Sequence, residues 1–507
     1  MNDLFLYSSV RPKFRSGLPD RDTPPLFLLA VSLLIVAANG APAGAAEEAR
    51  SAPVGDQARQ TATLTSSDSP GGRIVVFNYP RLCPRSAAFK VRAGGQELFV
   101  YHTSAGDFAA FGCMGPVQIE VEAPRGAQSV RIAPARHGIK TTLDGNLIRF
   151  ALPGPMDLWV EIEGLDSLFI FAHDGDQKAP KLDDPGVKHF RGGQIYEVGE
   201  LRLQDNETLY LEGGAVVRGC IRANGARNVR IAGPGVLDGS YYRRGVDPHR
   251  SVVLEGCRDS HLEDIIMVEP TAWMVLLGAC RDVVVRNVRE LGSLGSTDGI
   301  DIVGSRKIRV ENCFCRNGDD CIVIKSLDLR SHGRDATLDY SGDVEDIEVS
   351  GCALMAYIGG QAMEIGHELR TGSVRNIRFR DCDVLAVHGH GGVFGIHNAD
   401  RATVSDVLYE NIRVEHHYEK LVDFRIIKSR WSKDEERGQI RNITLRNIDV
   451  AISVFNPGYS CSLIGGFDSQ HSVQNVSFEN FRKAGKPVTC ADELDLYCKQ
   501  ANGITFR

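Results

Sequence analysis

One hexapeptide shape recurs through the last two-thirds of this chain, and it constrains the fold more than any other feature. Its third and sixth places are apolar, and Asn, Asp or Gly stands fifth: Val283-Val284-Val285-Arg286-Asn287-Val288, Ile308-Arg309-Val310-Glu311-Asn312-Cys313, Ile347-Glu348-Val349-Ser350-Gly351-Cys352 and Ile377-Arg378-Phe379-Arg380-Asp381-Cys382. It returns at 407–412, 443–448 and 476–481, with weaker copies at 229–234 and 260–265. From Gly233 onward the fifth places are separated by 31, 23, 25, 39, 30, 30, 36 and 33 residues. A repeat of this length with no helical period predicts a solenoid of β coils, each giving one strand to stacked parallel sheets. Equivalent residues of adjacent coils then lie ~4.8 Å apart and form ladders. Length variation becomes insertion outside the stack. The 39-residue interval holds 327–343, a polar loop with Arg330, Arg334 and Asp335 placed to wall a groove.

The chain of 507 residues has room for more than this stack. Residues 73–175 carry short alternating segments such as Val117-Gln118-Ile119-Glu120-Val121 and Leu158-Trp159-Val160-Glu161-Ile162, punctuated by Gly and Pro. That spacing predicts a small antiparallel β-sandwich. A polar linker at 174–185 leads to the solenoid, 186–507. At the other end, Arg11, Lys13, Arg15 and Arg21 precede an apolar run at 26–38 and Ala43-Gly44-Ala45. We read 1–46 as a secretory signal peptide, since 13 apolar residues are fewer than the ~20 of a spanning helix. Residues 47–72 read as a linker. The expected location is secreted or periplasmic, with no membrane contact after cleavage.

Charge excludes one class of partner. With 58 Lys and Arg against 65 Asp and Glu, net −7, no basic field exists to recruit nucleic acid. Of 13 cysteines, Cys313, Cys352 and Cys382 share the sixth place and read as an interior stack of small apolar thiols. Cys83 with Cys113, and Cys490 with Cys498, are candidate bridges in an exported protein.

The chemistry concentrates in two consecutive coils: Ser296-Thr297-Asp298-Gly299-Ile300-Asp301 and Gly318-Asp319-Asp320-Cys321-Ile322-Val323-Ile324-Lys325. Asp298 and Asp319 are 21 residues apart, close to one short coil, so Asp298, Asp319 and Asp320 fall in one patch. Neighbours across a rung are ~5 Å apart and diagonal pairs ~7 to 8 Å. Crowded carboxylates raise each other's pKa, which sets an acid beside a base. Glycosidic cleavage with inversion uses such a pair, ~6.5 to 9.5 Å apart. Coil-corner turns and a calcium site are the competing readings. Three acids set among apolar strands, where charge is costly, weigh against simple turns.

At these residues the chain resembles glycoside hydrolase family 28, the polygalacturonases, and more distantly family 49, the dextranases, inverting enzymes on right-handed parallel β-helices of the pectin-lyase-like kind. Thr297-Asp298-Gly299-Ile300-Asp301 and Gly318-Asp319-Asp320-Cys321 match the family's Asn-Thr-Asp and Gly-Asp-Asp signatures, and the likeness runs roughly over 194–481. The resemblance implies Asp319 as general acid, with Asp298 and Asp320 activating water. The family's Asn is Ser296 here, and its Gly-His-Gly is Gly360-Gln361-Ala362, so Gln361 takes the place of the His, with His367 nearby. His388-Gly389-His390-Gly391-Gly392 looks like that motif one coil later. The family's Arg-Ile-Lys, which grips a uronate carboxylate, has a loose counterpart in Arg425-Ile426-Ile427-Lys428, where the extra Ile puts Arg425 and Lys428 on opposite faces. The departures and the preceding sandwich lean toward the dextranase side. Trp273 and Trp431 are candidate sugar platforms or packing residues.

The expected protein is therefore all-β, a parallel β-helix behind a small sandwich, and a monomeric polysaccharide hydrolase without cofactor or metal. The catalytic candidates are Asp298, Asp319 and Asp320; Lys325, Gln361, His367, Arg425 and Lys428 are the substrate-binding ones. A lyase, with Lys325, Arg425 or Lys428 as base, is the first alternative. A noncatalytic glycan-binding solenoid is the second.

Overall fold

The computed structural model describes residues 72–507 apart from 125–126, 177, 182, 331–335 and 454–460. The expected signal peptide and most of its linker lie outside the described residues, as do Arg334 and Asp335. From Val187 to Phe506 the chain winds a parallel β-helix in which, through the middle of the stack, each strand pairs with the strand three further on. One coil supplies Val275–Gly278, Arg281–Arg286 and Arg289–Leu291. The next supplies Ile300–Val303, Arg306–Glu311 and Phe314–Asn317. These define a first, second and third face.

The hexapeptide is the second-face strand and its exit turn. Its first, third and sixth residues point inward and form one apolar column with Ile308, Val310, Ile347, Val349, Phe379, Tyr409 and Leu445. Its fifth place takes the left-handed conformation, with φ of 50° at Asn287, 53° at Asn312, 57° at Asn411 and 54° at Asn447. Asn, Asp and Gly are the residues that tolerate that region, which explains the fifth-place rule. The amides also link coils: Asn447 Nδ2 donates to Asn411 Oδ1 at 3.0 Å and Asn480 Nδ2 to Asn447 Oδ1 at 2.9 Å. A second left-handed column, one residue before each hexapeptide, includes Asp282, Lys307, Asp346, Asn376 and Asn442. Cys313, Cys352 and Cys382 are buried in the interior column, as expected. All thirteen cysteines are unbridged, so neither candidate disulfide forms; Cys83 and Cys113 serve as core thiols instead.

The sandwich has sheets of six and five strands around Val91, Ile119, Val121, Phe150, Leu158 and Ile170. It is antiparallel except where Gly106–Met114 runs parallel to Leu168–Asp174. Its outer aromatic row covers the third face: Phe169 and Phe171 meet Phe314 edge-on, each at 5.5 Å, over Val236, Ile266 and Leu291. Ion pairs fasten the rim, Arg289 to Asp157 at 2.9 Å and Arg131 to Glu415 at 2.7 Å. With the third face covered, chemistry has the first face to use.

The 327–343 loop is less polar in effect than its composition suggests. Leu327, Leu329, Ala336 and Tyr340 pack onto Val253, Leu276 and Val303 of the first face. Glu255 pins the loop, accepting from the Thr337 and Leu338 amides at 2.6 Å and from the Tyr340 hydroxyl at 2.7 Å. The loop thus sheathes the coils on the N-terminal side of the acids.

Candidate active site

Strand register assembles the site. Ile300 pairs with Ile322, and Ile322 with Met363, so Asp298, Asp320 and Gln361 are equivalent positions on three successive coils. Trp273 precedes them, because Val275 pairs with Ile300. Asp319 stands one place outside this row. Gly360 is required where its turn crosses the Asp319–Asp320 backbone, since a Cβ there would lie 2.0 Å from the Asp319 carbonyl carbon.

Consecutive carboxyls are pulled opposite ways along the helix axis. Asp319 Oδ2 accepts from the Ser296 amide of the preceding coil at 2.7 Å, whereas Asp320 Oδ1 accepts from the Gln361 amide of the following coil at 2.7 Å. Ser296 thus acts through its backbone, and Gln361 through both ends, its Oε1 accepting from Gly392 N at 2.5 Å. Asp298 Oδ2 binds Lys325 Nζ at 2.9 Å, and the same ammonium binds Asp301 Oδ1 at 2.9 Å with the Trp273 ring centroid 4.0 Å away.

Burial and crowding set the protonation. Burial and then the Asp298 charge raise Asp319; burial, Asp298, Glu364 and Asp319 raise Asp320 well above the carboxylate range. Burial alone would lower Lys325, but Asp298 and Asp301 outweigh it and hold the ammonium charged. The arrangement sets carboxyls of raised proton affinity at a partly open surface, over a floor where one buried ammonium is shared by two carboxylates. It can donate a proton and position a water.

Three coils of the same face carry a second cluster that the sequence motifs did not disclose. His397 Nδ1 lies 2.8 Å from Glu364 Oε1 and its Nε2 3.2 Å from Asp423 Oδ2, while Arg425 Nε reaches Asp423 Oδ1 at 2.5 Å. Burial opposes charge on His397, but the two carboxylates prevail and push it up to about 10. Against burial, His397 and Arg425 draw Asp423 down to about 2. His367 stacks on His397 at 4.7 Å and, buried beside these cations, falls to about 3. Glu364, His367 and His397 offer ligand atoms within 4.8 Å of one another. An imidazolium that donates from both nitrogens has no lone pair for an ion, so the trio fits an ion-paired clamp better than a metal centre.

The sequence candidates therefore separate. Asp298, Asp319, Asp320, Lys325 and Gln361 converge; His367 and Arg425 belong to the second cluster, Arg425 from the same strand as Asp423, Lys420–Ile426. Lys428 has left the sheet and pairs in the open with Glu435 at 3.0 Å. His390 is exposed beside Glu419 at 3.1 Å, and Trp431 is exposed under Arg430 at 4.6 Å. Beneath the site, inside the helix, lies an acid that the motifs also missed. Glu290 is fully buried, accepts from Asn317 Nδ2 at 3.2 Å and is pushed up to about 8 by burial. A Cβ on Gly299, next to Asp298, would meet it at 2.3 Å.

No curated protein matches in sequence. Among solved structures the chain is similar to Dex49A from Penicillium minioluteum, with TM-score 0.57 at 13% identity over 87% of this chain and 100% of that one. It is also similar to an exopolygalacturonase from Thermotoga maritima (TM-score 0.42, 17% identity, 63% and 85% covered) and a polygalacturonase from Erwinia carotovora (0.46, 14%, 63% and 89%). At these identities the likeness to Dex49A is one of fold, a right-handed parallel β-helix with antiparallel sheets before it. Residues 201–457, just over half of the chain and including every acid of the two clusters, match the model of Glycosyl hydrolases family 28, and the chain belongs to that family as a glycoside hydrolase.

Proposed function

We propose that this protein is an exported polysaccharide hydrolase that cleaves O-glycosidic bonds with inversion, Asp319 serving as general acid and Asp298 with Asp320 activating the water. The observation that carries this reading is the opposed anchoring of Asp319 and Asp320 on neighbouring coils, with Asp298 in register beside them. Asp319 is raised yet partly open, the condition for an acid that must reach a leaving oxygen. Asp298 is fixed by the Lys325 ammonium and stands in register with Asp320, its partner in activating the water. The lyase alternative loses support because its candidate bases, Lys325, Arg425 and Lys428, are each bound to a carboxylate.

The test is a panel of polysaccharides assayed for reducing ends, with product anomers followed by NMR. Inverted products, lost in Asp319→Asn, are expected. Retained configuration, or unsaturated ends without uptake of water, would sink the reading. Export is tested separately by the cell fraction in which the full chain accumulates, with and without residues 1–46.

A further inference from the structure

The cations around the acids bear on the kind of glycan the site takes. Among the described residues, the first face carries several from Trp273 to Arg425, and each of these is already engaged. Lys325 is shared by Asp298 and Asp301, 2.9 Å from each. His397 is bracketed by Glu364 and Asp423. Arg425 binds both oxygens of Asp423, at 2.5 and 2.8 Å, and Lys420 Nζ donates to the His390 carbonyl at 2.6 Å. Arg250 lies over the Trp273 ring at 4.4 Å. On the flanking third face, Arg316 is buried, bonded to the Gly292 carbonyl and capped by the Tyr357 ring at 4.4 Å.

What stays open at the cleavage point is acidic. Asp319 and Asp320 are partly exposed, and their proton affinity is raised by burial and by their carboxylate neighbours. A uronate sugar would bring one more negative charge per residue into that cluster. Desolvating a carboxylate without a cation partner is costly, and like charges at rung spacing repel. Sugar hydroxyls present the opposite case, because they donate to carboxylates and need no counter-ion.

We infer that the substrate is a neutral glycan, with uncharged pyranose residues at the cleavage point and over the coils as far as Asp423. This inference rests on the hydrolase reading for its location, and on charge pairing for its content.

Affinity electrophoresis tests it without requiring turnover. The Asp319→Asn chain is run in native gels containing dextran, pullulan, carboxyl-reduced galacturonan or polygalacturonate, at ~0.15 M salt, where the Debye length is about 8 Å. Retardation by at least one neutral polymer and none by polygalacturonate is the expected result. Retardation by polygalacturonate equal to or greater than that by its carboxyl-reduced form overturns the inference, as does an absence of retardation by every neutral polymer. A neutral polymer that retards the variant but yields no reducing ends with the unaltered chain would fail the hydrolase reading alone. Reducing ends from polygalacturonate and from nothing else would fail the neutral-glycan inference alone.

Discussion

The first and second faces of the helix carry similar residue types and put them to different physical use. On the second face His261, Arg309, Glu348 and Arg378 line a trough of about 690 Å³, larger than the 240 Å³ hollow beside Arg425 on the first face. Its charges stand in water. Neighbouring ladders pair Arg286 with Glu311 at 2.9 Å and Arg446 with Glu479 at 2.7 Å, all partly exposed. On the first face Asp298, Asp301, Lys325, Glu364, His397 and Asp423 are buried, and most have displaced proton affinities. The hollow is larger where the chemistry is absent. Desolvation, more than charge density or cavity size, separates the reactive face from the merely hydrophilic one.

The sharpest break between the faces should come from removing one proton donor. Asp319→Asn is expected to lower kcat by roughly 10²- to 10⁴-fold, the range for losing a general acid. Its urea midpoint should hold or rise, since a crowded carboxyl is relieved. Glu348→Gln in the trough should leave kcat unchanged. Steady-state kinetics and urea melts on both variants decide it; equal losses would erase the distinction.

Next in size is the buried cation. Lys325→Met leaves Asp298 and Asp301 facing each other with no counter-charge, an expected loss of about 3 to 5 kcal/mol in unfolding free energy. Adding Asp301→Asn should recover part of it. Arg309→Met, whose partner Glu311 is 3.5 Å away at an exposed edge, should cost less than about 1 kcal/mol. Denaturant melts at one pH compare the three.

How much of this was legible in the sequence follows the same division. The coil repeat, the sandwich and the Asp298, Asp319 and Asp320 patch could be read because they rest on local rules: period two, left-handed turns at Asn, and acids one coil apart. Glu364, His397, Asp423 and Glu290 were missed, because what defines them is pairing across coils of unequal length. A signal existed. Met363-Glu364-Ile365 and Val422-Asp423-Phe424 each place an acid inside an apolar strand, the criterion already applied to Asp298. The loop's anchoring was missed for a related reason: Leu329 and Tyr340 are a minority among polar neighbours, and only packing against Val253, Leu276 and Val303 makes them an anchor.

Glu290 gives a pH-dependent contrast. Its folded-state value of about 8 exceeds the ordinary 4.5, so the folded protein holds this proton more tightly than the unfolded chain. Stability should therefore fall as pH rises from about 4.5 through 8 and lose nothing more from this group above that. Glu290→Gln keeps an acceptor for Asn317 and removes the titration. Its advantage over the unaltered chain should grow across that window to the order of a few kcal/mol. Urea midpoints at pH 5, 7 and 9 (about one every two units) measure it, and parallel curves for the two proteins would show that Glu290 is solvated.

The smallest effect belongs to the ladder pairs of the second face. Arg446 bridges Glu410 at 3.2 Å and Glu479 at 2.7 Å, so the structure offers one cation shared by two acids, the same stoichiometry as Lys325 with Asp298 and Asp301. Geometry alone would rank the two alike. Water ranks them apart, because the Arg446 and Glu479 side chains remain partly exposed and their attraction is screened. A double-mutant cycle on Arg446→Met and Glu479→Gln should give a coupling of about 0.2 to 1 kcal/mol that shrinks between 0.05 and about 0.5 M salt. The Lys325–Asp301 cycle should exceed it severalfold and hold its value as salt rises, because a buried pair is screened much less. Equal couplings with equal salt dependence would mean that the first face is as open to water as the second, and would remove the physical basis for placing the acid chemistry there.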